Sequence, residues 1–534
     1  MKKNFFLSFF LLLFFSGCSD DPKKKSPTDP LYAYQWYLQN TGQTAGATNG
    51  GTIGEDIRLG NTWLYSTGRD VTVGIVDTGI ERAHPDLSGN VDSNLSATYY
   101  NGMVVSTDPT PAQGAPTYQL DIDPVYSAHG TACAGIAAAV FDNDIGIKGI
   151  APRATLAGLN AFADLNSSTQ FISFADALYN AARPVDVSSN SWTDFPGVLS
   201  DSSEELISIR EGIAQGRNGK GVIYCFAAGN QRASGENSNW YRELNTPFVI
   251  TVAALDANGR YASYSNFGAN VLISAYGGYS NSLYPRVVTT DLGGIYGFDD
   301  PQGSGHFDAP GNETGAYTNT LSGTSFSTPM ISGIAALLLE ANPALTYRDV
   351  RYILATTARQ NDPDNTDWTQ NGAGRWVNHN YGFGAVDTAA AVARAMDYTL
   401  LEDNLTRSYD SGNIAIAVSG TQSAEENITV TDPLTLEHVE LWVQLAHDNP
   451  GDLEITLTSP AGTASRLSHP NIFLNSSSAY DGFFYDYLSH DGFTFGSVRY
   501  LDENAGGTWK LNISSTASAG TLYHYKLILH GRLP

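Results

Sequence analysis

The sequence predicts an α/β domain built on a central parallel sheet, followed by an all-β sandwich. Two observations support this prediction. Between residues 29 and 395, short apolar strands alternate with helical patterns, an alternation that is typical of a parallel sheet covered by helices. Between residues 400 and 534, apolar positions alternate along short strands separated by Gly and Asn turns, which indicates an antiparallel β-sandwich.

Three strands and two helices stand out in the α/β part. The strands are VTVGIVD, which ends at Asp77, VIYCFAAGN, which ends at Asn230, and FVITVAA, which begins at Phe248. Residues 327–339 and 346–356 have helical patterns. Sites in such folds form at the carboxyl ends of the parallel strands, so the polar residues at those ends are the first functional candidates.

The composition indicates an acidic globular protein. The 534 residues include 29 Lys+Arg and 54 Asp+Glu, which gives a formal charge of −25. This excess of acid argues against nucleic acid as a partner, because phosphate binding depends on clustered Lys and Arg. With 42% hydrophobic and 16% charged residues, wholesale disorder is excluded. Three cysteines cannot form a disulfide framework.

Residues 1–17 have the pattern of a secretory signal peptide, with two lysines before an apolar run at residues 5–15 that is too short to span a bilayer. Two small residues and Cys18 follow. Two interpretations stay open: an incidental cysteine, or a bacterial lipobox in which Cys18 is lipidated and attaches the protein to a membrane. Residues 18–28 are polar and are predicted to form a tether. The protein is therefore predicted to be exported, as an outer-membrane lipoprotein, a periplasmic protein or a secreted one.

Asp77 and His129 are candidates for a catalytic acid–base pair. Asp77 closes a strand just before a turn, where a carboxylate is rigidly held and can orient an imidazole. His129 opens the small-residue stretch HGTACAGIAAAV, which is predicted to be a close-packed buried helix. The helix dipole disfavours a positive charge at a helix start, so His129 can serve as a neutral base. Taken singly, each residue also has an ordinary structural explanation.

Ser325 and Asn230 are candidates for the nucleophile and for an oxyanion donor. Ser325 lies in SGTSFSTPM and is predicted to start a helix, with Pro329 in its first turn. A serine hydroxyl needs a base to act as a nucleophile, and free N–H groups at a helix start favour a developing oxyanion. Asn230 ends a strand, where its amide can donate the second oxyanion hydrogen bond. Its alternative explanation is a turn residue after Gly229.

The motifs VGIVDTGI, HGTACAGI, AAGN and GTSFSTP, in the order Asp, His, Asn, Ser, resemble the signatures of the subtilase superfamily of serine peptidases. The resemblance covers about residues 29–395 and implies a subtilisin-like fold. Carried over by position, it makes Ser325 the nucleophile and His129 the general base and acid. It makes Asp77 the carboxylate that orients His129, and Asn230 the oxyanion donor.

Other segments resemble the kexin and furin branch and its bacterial relatives: PTDPLYAYQWYLQNTGQ, ERAHPDLSGN and YGFGAVD. In this branch the C-terminal sandwich corresponds to a jelly-roll-like P domain, which packs on the catalytic domain. From the residues alone, the sandwich is equally a carbohydrate-binding or adhesive module. The implied function is an exported serine endopeptidase acting on proteins or peptides. The alternatives are a broad-specificity subtilisin-like protease and a catalytically silent protein that binds through its P domain.

The resemblance also implies a structural Ca²⁺ site. Asp29 and Asp86 match its two carboxylates. The loop AVFDNDIGIKG supplies the amide side chain of Asn143 and the backbone carbonyls of Val140, Ile145 and Ile147. Oxygen ligands of mixed origin suit Ca²⁺. The alternative is that Asp29 and Asp86 are turn residues. A second family site near the substrate pocket is not expected, because Asn266 stands where its acidic ligand would be.

Three residues are predicted to line the substrate pocket: Ser191, Trp192 and Asp194. Kexin-like enzymes usually carry a second Asp directly after the catalytic one, which favours paired basic residues in the substrate, but this chain has Thr78. Negative potential from Asp194, Glu236 and Glu243 still predicts a basic residue before the scissile bond.

Folding and thiol chemistry give two further expectations. Subtilases usually carry an inhibitory propeptide, and residues 18–28 are too short to hold one. The enzyme is therefore expected either to fold alone, with help from calcium and the P domain, or to need a separate chaperone. Cys133 follows His129 by four residues and is expected to make the enzyme sensitive to mercurials, whereas Cys225 is expected in the core.

Overall fold

A computed structural model describes residues 29–111, 127–164, 170–193, 203–303, 306–402, 404–471, 488 and 491–534. The predicted signal peptide, the tether with Cys18, and the predicted pocket residue Asp194 lie outside these ranges. Within them, no helix combines the length and apolar character that crossing a bilayer requires.

An eight-stranded sheet forms the centre of the N-terminal domain. Its strands are β1 (Thr72–Asp77), β2 (Ala97–Tyr100), β3 (Met103–Ser106), β4 (Thr155–Asn160), β5 (Val187–Asn190), β6 (Ile223–Ala227), β7 (Val249–Leu255) and β8 (Val271–Tyr276). The spatial order is β3-β2-β4-β1-β5-β6-β7-β8. Every pair is parallel except the β2–β3 hairpin at one edge. β1 is therefore an inner strand, and the central parallel sheet is confirmed.

Helices cover this sheet: α1 (His129–Ala138), α2 (Gln170–Leu178), α3 (Glu204–Gly219), α4 (Thr324–Ala341), α5 (Tyr347–Thr357) and α6 (Thr388–Met396). Two short strand pairs complete the domain: β9 (Val287–Thr290) with β10 (Tyr317–Leu321), and β11 (Thr369–Gln370) with β12 (Trp376–Val377). α1 and α4 are buried almost on all sides, which explains their small and apolar composition. They pack against each other, so the residues at their N-termini lie close together.

The C-terminal domain is a sandwich of two antiparallel sheets. Its strands are β13 (Leu405–Asp410), β14 (Ile416–Val418), β15 (Ala424–Val430), β16 (Thr435–His447), β17 (Leu453–Thr458), β18 (Ala464–Ser468), β19 (Phe493–Ser497), β20 (Gly507–Ser515) and β21 (Gly520–Arg532). One sheet has the order β13-β21-β16-β19 with β14 beside β21, and the other has the order β15-β20-β17-β18. The predicted all-β sandwich is confirmed.

The two hydrophobic cores exchange side chains at the domain junction. Trp240 of the N-terminal domain is fully buried in the core of the sandwich. Val498 and Leu501 of the sandwich belong to the core of the N-terminal domain. The two domains are therefore packed as one body across this junction.

Two local predictions need correction. The strand predicted to end at Asn230 ends at Ala227, because Gly229 turns the backbone with a φ of +98°. Pro329 is not in the first turn of its helix, because α4 begins at Thr324 and Pro329 lies inside it.

Candidate active site

Buried Asp77 and half-buried His129 form a hydrogen-bonded pair. Asp77 is the last residue of β1 and His129 the first of α1. The imidazole Nδ1 lies 2.8 Å from Oδ1 and 3.0 Å from Oδ2 of Asp77. With Nδ1 occupied in this way, Nε2 is the nitrogen left to exchange a proton with another group.

The start of α1 is fixed to the turn that follows Asp77. The Thr78 hydroxyl donates to the carbonyl of Ser127 at 3.0 Å and accepts from the N–H of Gly130 at 3.0 Å. A Cβ at Gly130 would come within 2.2 Å of the carbonyl oxygen of Gly79. The helix therefore approaches the turn closely only because residue 130 is glycine.

Burial alone would lower the pKa of the His129 imidazole, but the nearby Asp77 charge raises it, and the net pKa lies well above its usual value. The Cys133 sulfur lies 3.9 Å from Nδ1 of His129. Burial raises the pKa of this thiol, so it stays protonated at neutral pH. Asp77, His129 and Cys133 also form a group of potential metal ligands. The His129–Asp77 hydrogen bond already accounts for their proximity.

Ser325 is the second residue of α4, and Pro329 determines what its carbonyl binds. In a helix that carbonyl would accept from the N–H of residue 329, which proline lacks. It accepts instead from the Ser191 hydroxyl at 2.7 Å and from the Cys133 thiol at 3.5 Å. The Ser325 hydroxyl donates to the Ser191 carbonyl at 3.2 Å. Ser191, just after β5, thus positions the backbone of the candidate nucleophile.

The His129 ring lies against the same helix start, since its centroid is 5.5 Å from that of Phe326. Sequence positions 129 and 325 are therefore neighbours in space, as predicted. Ser325 is buried, with 8% of its surface exposed.

Asn230 is held in the orientation that an oxyanion donor needs. Its Oδ1 accepts from the backbone N–H of Thr324 at 2.9 Å and from the Thr324 hydroxyl at 3.0 Å. A backbone N–H can only donate, so the amide oxygen must face Thr324. Nδ2 therefore points away from that contact and is available as a donor. The N–H of Ser325 is among the first four of α4, which have no acceptor within the helix.

Trp192 packs its ring against the side chains of Phe162, Phe174 and Phe226. Its indole N–H donates to the carbonyl of Val76 at 3.0 Å. The structure thus ties the end of β5 to β1, one residue before Asp77.

The acidic residues predicted to attract a basic substrate differ in their exposure to solvent. Glu243 is 1% exposed, so it does not face solvent. Glu236 is half-buried and accepts a hydrogen bond from the Tyr241 hydroxyl. Asn266 is buried, and its Oδ1 accepts from the backbone N–H of Gln231 at 2.8 Å.

The predicted calcium ligands Asp29 and Asp86 converge on Asn143. Asp29 accepts from the backbone N–H groups of Asp142 and Asn143, at 2.8 and 3.0 Å. Asp86 accepts from the Asn143 amide and from the N–H of Ile147, both at 2.9 Å. Burial, together with the charge of Asp29, raises the pKa of Asp86 to about 7.

Other predicted members of this site lie in the same loop. The N–H of Val140 donates to the carbonyl of Asp86 at 2.9 Å. The N–H of Ile145 donates to Oδ1 of Asn143 at 2.9 Å. Lys148 lies 3.5 Å from Asp29. The two buried carboxylates are oxygen donors that fit a hard cation. The Asn143 amide turns its nitrogen to Asp86 and its oxygen to the N–H of Ile145 in this arrangement.

Sequence reasoning did not find the contacts that hold these side chains. The Thr324–Asn230 bond, the two bonds between Ser191 and Ser325, and the Thr78 bridge all join segments far apart in the chain. The sequence signals for two of them were Thr78 beside Asp77 and Thr324 beside Ser325.

Comparison with known proteins gives two family matches. The model described as "Subtilase family" matches residues 68–384, and that described as "Proprotein convertase P-domain" matches residues 436–529. The chain is 34% identical to the Aeromonas extracellular serine protease of Aeromonas sobria, over 92% of this chain and 85% of that one. It is 30% identical to furin of Bos taurus over 96% of this chain, and it spans 58% of that protein's length.

A solved structure with the same arrangement is the Aeromonas sobria serine protease in complex with the chaperone ORF2. It superimposes with a TM-score of 0.82 at 30% identity, covering 96% of this chain and 97% of the other. A second structure, of the serine protease of Aeromonas sobria, gives a TM-score of 0.81.

Proposed function

This chain belongs to the subtilase family of serine endopeptidases, in the kexin/furin-like branch with a P domain, and we propose that Ser325, His129, Asp77 and Asn230 carry its catalysis. The observation that supports the assignment is the Asp77–His129 hydrogen bond beside the Ser325 end of α4. The domain limits we propose are residues 29–395 for the peptidase and 400–534 for the P domain.

The first half of the reaction forms an acyl-enzyme. The Ser325 hydroxyl leaves the Ser191 carbonyl, gives its proton to Nε2 of His129, and its oxygen bonds to the substrate carbonyl carbon. Asp77 keeps Nδ1 protonated and stabilises the imidazolium. His129 then returns the proton to the departing amine as the C–N bond breaks. In the second half, water takes the place of the hydroxyl and releases the acid product.

Asn230 and the start of α4 stabilise the intermediate. Negative charge develops on the carbonyl oxygen after attack, and two fixed donors are available to it: Nδ2 of Asn230 and the N–H of Ser325. Because Thr324 already holds the amide in place, little reorganisation is needed when the charge appears.

Reaction with a fluorophosphonate probe tests this proposal. The wild-type chain is expected to be labelled covalently, and Ser325→Ala is expected to abolish labelling. Ser327→Ala is the matched control, since Ser327 is a buried serine in the same helix turn whose hydroxyl caps the Thr324 carbonyl. No labelling of the folded wild-type protein would favour the silent binding protein instead.

We further propose that Asp29, Asp86 and Asn143 hold Ca²⁺, with the carbonyls of the loop after α1. The bound cation would neutralise two buried carboxylates and fix this loop to the N-terminal segment. Chelation is expected to lower the melting temperature of the wild type, and Asp86→Asn to remove that dependence. Asp92→Asn, at another turn, serves as the control. Equal sensitivity of Asp86→Asn and wild type to the chelator would refute the site.

For substrate selection, we propose a basic residue before the scissile bond. The support is the half-buried carboxylate of Glu236 near Asn230 in the chain, together with the acidic charge of the whole protein. Asp194 remains a candidate on sequence grounds. The test is the rate of hydrolysis of matched peptides that carry Arg, Leu or Phe at that position. Faster cleavage of the apolar peptides would refute the proposal and favour a broad-specificity enzyme.

Export and assisted folding complete the proposal. The relative from Aeromonas sobria is an extracellular protease, and its structure was solved with a chaperone. We propose that this chain is likewise exported, with Cys18 as the candidate for a lipid anchor, and that it folds with a separate helper. Fully active enzyme from expression of the single gene would eliminate the helper.

A further inference from the structure

A cavity of about 160 Å³ lies at the junction of the two domains. Its walls come from three parts of the chain: Phe248 and Arg351 of the peptidase domain, Asn404 of the connection, and His438 and His530 of the sandwich. None of the residues proposed for catalysis lines it. A single water needs only about 10–15 Å³, so this space admits a polyatomic ligand.

The lining of this junction cavity carries excess positive charge, in a protein whose net charge is −25. Arg348 and Arg351 line it, and Glu437 is the one carboxylate among the lining residues. Arg348 donates to Glu437 through Nε at 2.9 Å and through Nη2 at 2.7 Å. Arg532 donates to the same carboxylate at 3.3 Å. Glu437 thus accepts hydrogen bonds from Arg348 and Arg532, and Arg351 donates none to it.

Arg351 is buried, and the charge of Glu437 acts on it only at longer range than a direct ion pair. It is 8% exposed, and among the described residues it forms no ion pair. One guanidinium nitrogen donates to the carbonyl of Val249, and the other N–H groups have no acceptor in the described chain. Burial lowers the pKa of Arg351 to about 10, so it remains charged at neutral pH. A desolvated cation without a partner is unfavourable, and its remaining donors match a planar or tetrahedral oxyanion.

The two histidines of the lining supply no negative charge. His438 is 3% exposed, its Nε2 lies 2.8 Å from the carbonyl of Asn245, and its Nδ1 has no hydrogen-bond partner among the described residues. His530 lies 2.7 Å from Glu440 through Nε2 and 3.1 Å from the Thr406 hydroxyl through Nδ1. These imidazoles therefore do not supply the direct anionic contact that Arg351 lacks.

We propose that the junction cavity is a binding site for one small oxyanion, a carboxylate or a sulfate-like group, held by Arg351 between the two domains. Asn404 and Thr406 are exposed lining residues and mark the entrance. Because the walls belong to both domains, a bound anion stabilises their docked arrangement and hence the folded chain.

Thermal unfolding of the full-length protein in its calcium-containing buffer tests this site. Sulfate is the probe for a tetrahedral oxyanion, acetate is the probe for a carboxylate, and chloride at equal ionic strength is the reference. Sulfate or acetate is expected to raise the melting temperature by about 2–4 °C at saturation. The anion that does so identifies the ligand class. Melting temperatures that are equal in all three salts would refute the site.

Variants separate the site from the general stabilisation that sulfate gives to proteins. Arg351→Gln is expected to abolish the anion-specific shift, and Arg69→Gln, an exposed arginine elsewhere, to keep it. Asn404→Asp places a negative charge at the entrance without changing size and is expected to halve the shift or more. It decides the question if Arg351→Gln does not fold. A full shift in either cavity variant would overturn the proposal.

Discussion

The active site and the domain junction both use buried polar side chains, but they use them differently. At the active site, each proposed role rests on the contacts of one pair of residues: Asp77 with His129, Thr324 with Asn230, and Ser191 with Ser325. All of these lie within the peptidase domain. At the junction, contacts are numerous and come from both domains. Loss of one contact should therefore affect reactivity at the first region and stability at the second.

The junction contacts cluster on the segment that follows Asn230. Trp240 stacks on His469 at a centroid distance of 5.2 Å, and its indole N–H donates to Ser468 at 2.9 Å. Asn239 exchanges two hydrogen bonds of 2.8 Å with Gly496. The P domain thus contacts the stretch of chain that follows Asn230, the proposed oxyanion donor. The two regions are linked through about ten residues of backbone.

The largest expected effect is at the nucleophile. Ser325→Ala should lower kcat by roughly 10⁶-fold, because the remaining side chains cannot replace the attacking oxygen. The melting temperature should stay close to that of the wild type, since only one weak hydrogen bond is lost. Initial rates and thermal unfolding measured on the same preparation check this. A large loss of stability would show that the active site is not energetically separate from the fold.

The next effect belongs to the junction. Trp240→Ala should destabilise the protein by about 3–5 kcal/mol, because it removes a fully buried indole from the sandwich core. Denaturant unfolding measures this loss. Trp376→Ala is the matched control, since Trp376 is 44% exposed and should cost far less. Similar losses for the two variants would contradict the interlocked cores.

Asn230→Ala should then lower kcat by about 10²–10³-fold with little change in KM. The reason is that the amide contacts the substrate oxygen chiefly when charge develops on it. Steady-state kinetics separate the two constants, and thermal unfolding should be nearly unchanged. A rise in KM with kcat preserved would instead make Asn230 a ground-state binding residue.

The smallest expected effect is on pH dependence, and it has opposite signs for activity and stability. His129 must be neutral to accept a proton, so kcat/KM should fall as pH falls through its raised pKa. The charged Asp77–His129 pair contributes stability that is present in full below about pH 6.5, the usual histidine pKa. That contribution is lost as pH rises through the folded pKa.

Comparison of Asp77→Asn with wild type checks the pH prediction. The variant should show a lower rate and an acid limb displaced to lower pH. It should also lose the pH-dependent part of the stability difference. An acid limb at the same pH in both proteins would mean that another group controls it.

The sequence by itself determined the fold class, the order of the domains and the proposed catalytic residues. Hydrophobic periodicity is a local property, so the strand before Asp77 and the buried helix after His129 could be predicted from their own residues. Short motifs with fixed residues likewise identified Asn230 and Ser325. The predicted ends of elements were less accurate. The strand before Asn230 ends at Ala227 because Gly229 turns the backbone, and α4 continues through Pro329 instead of beginning near it.

Only the tertiary structure decided which groups touch. Ser191 against Ser325 and Thr324 against Asn230 join segments more than ninety residues apart, and no local pattern specifies such pairs. The sequence likewise does not show that Glu243 is buried, or that Trp240 lies in one core and Val498 and Leu501 in the other. Nor does it show that Arg351 makes no ion pair within the described part of the chain. Each depends on how separate elements pack, which follows from the summed burial of apolar surface over the whole chain and not from any one segment.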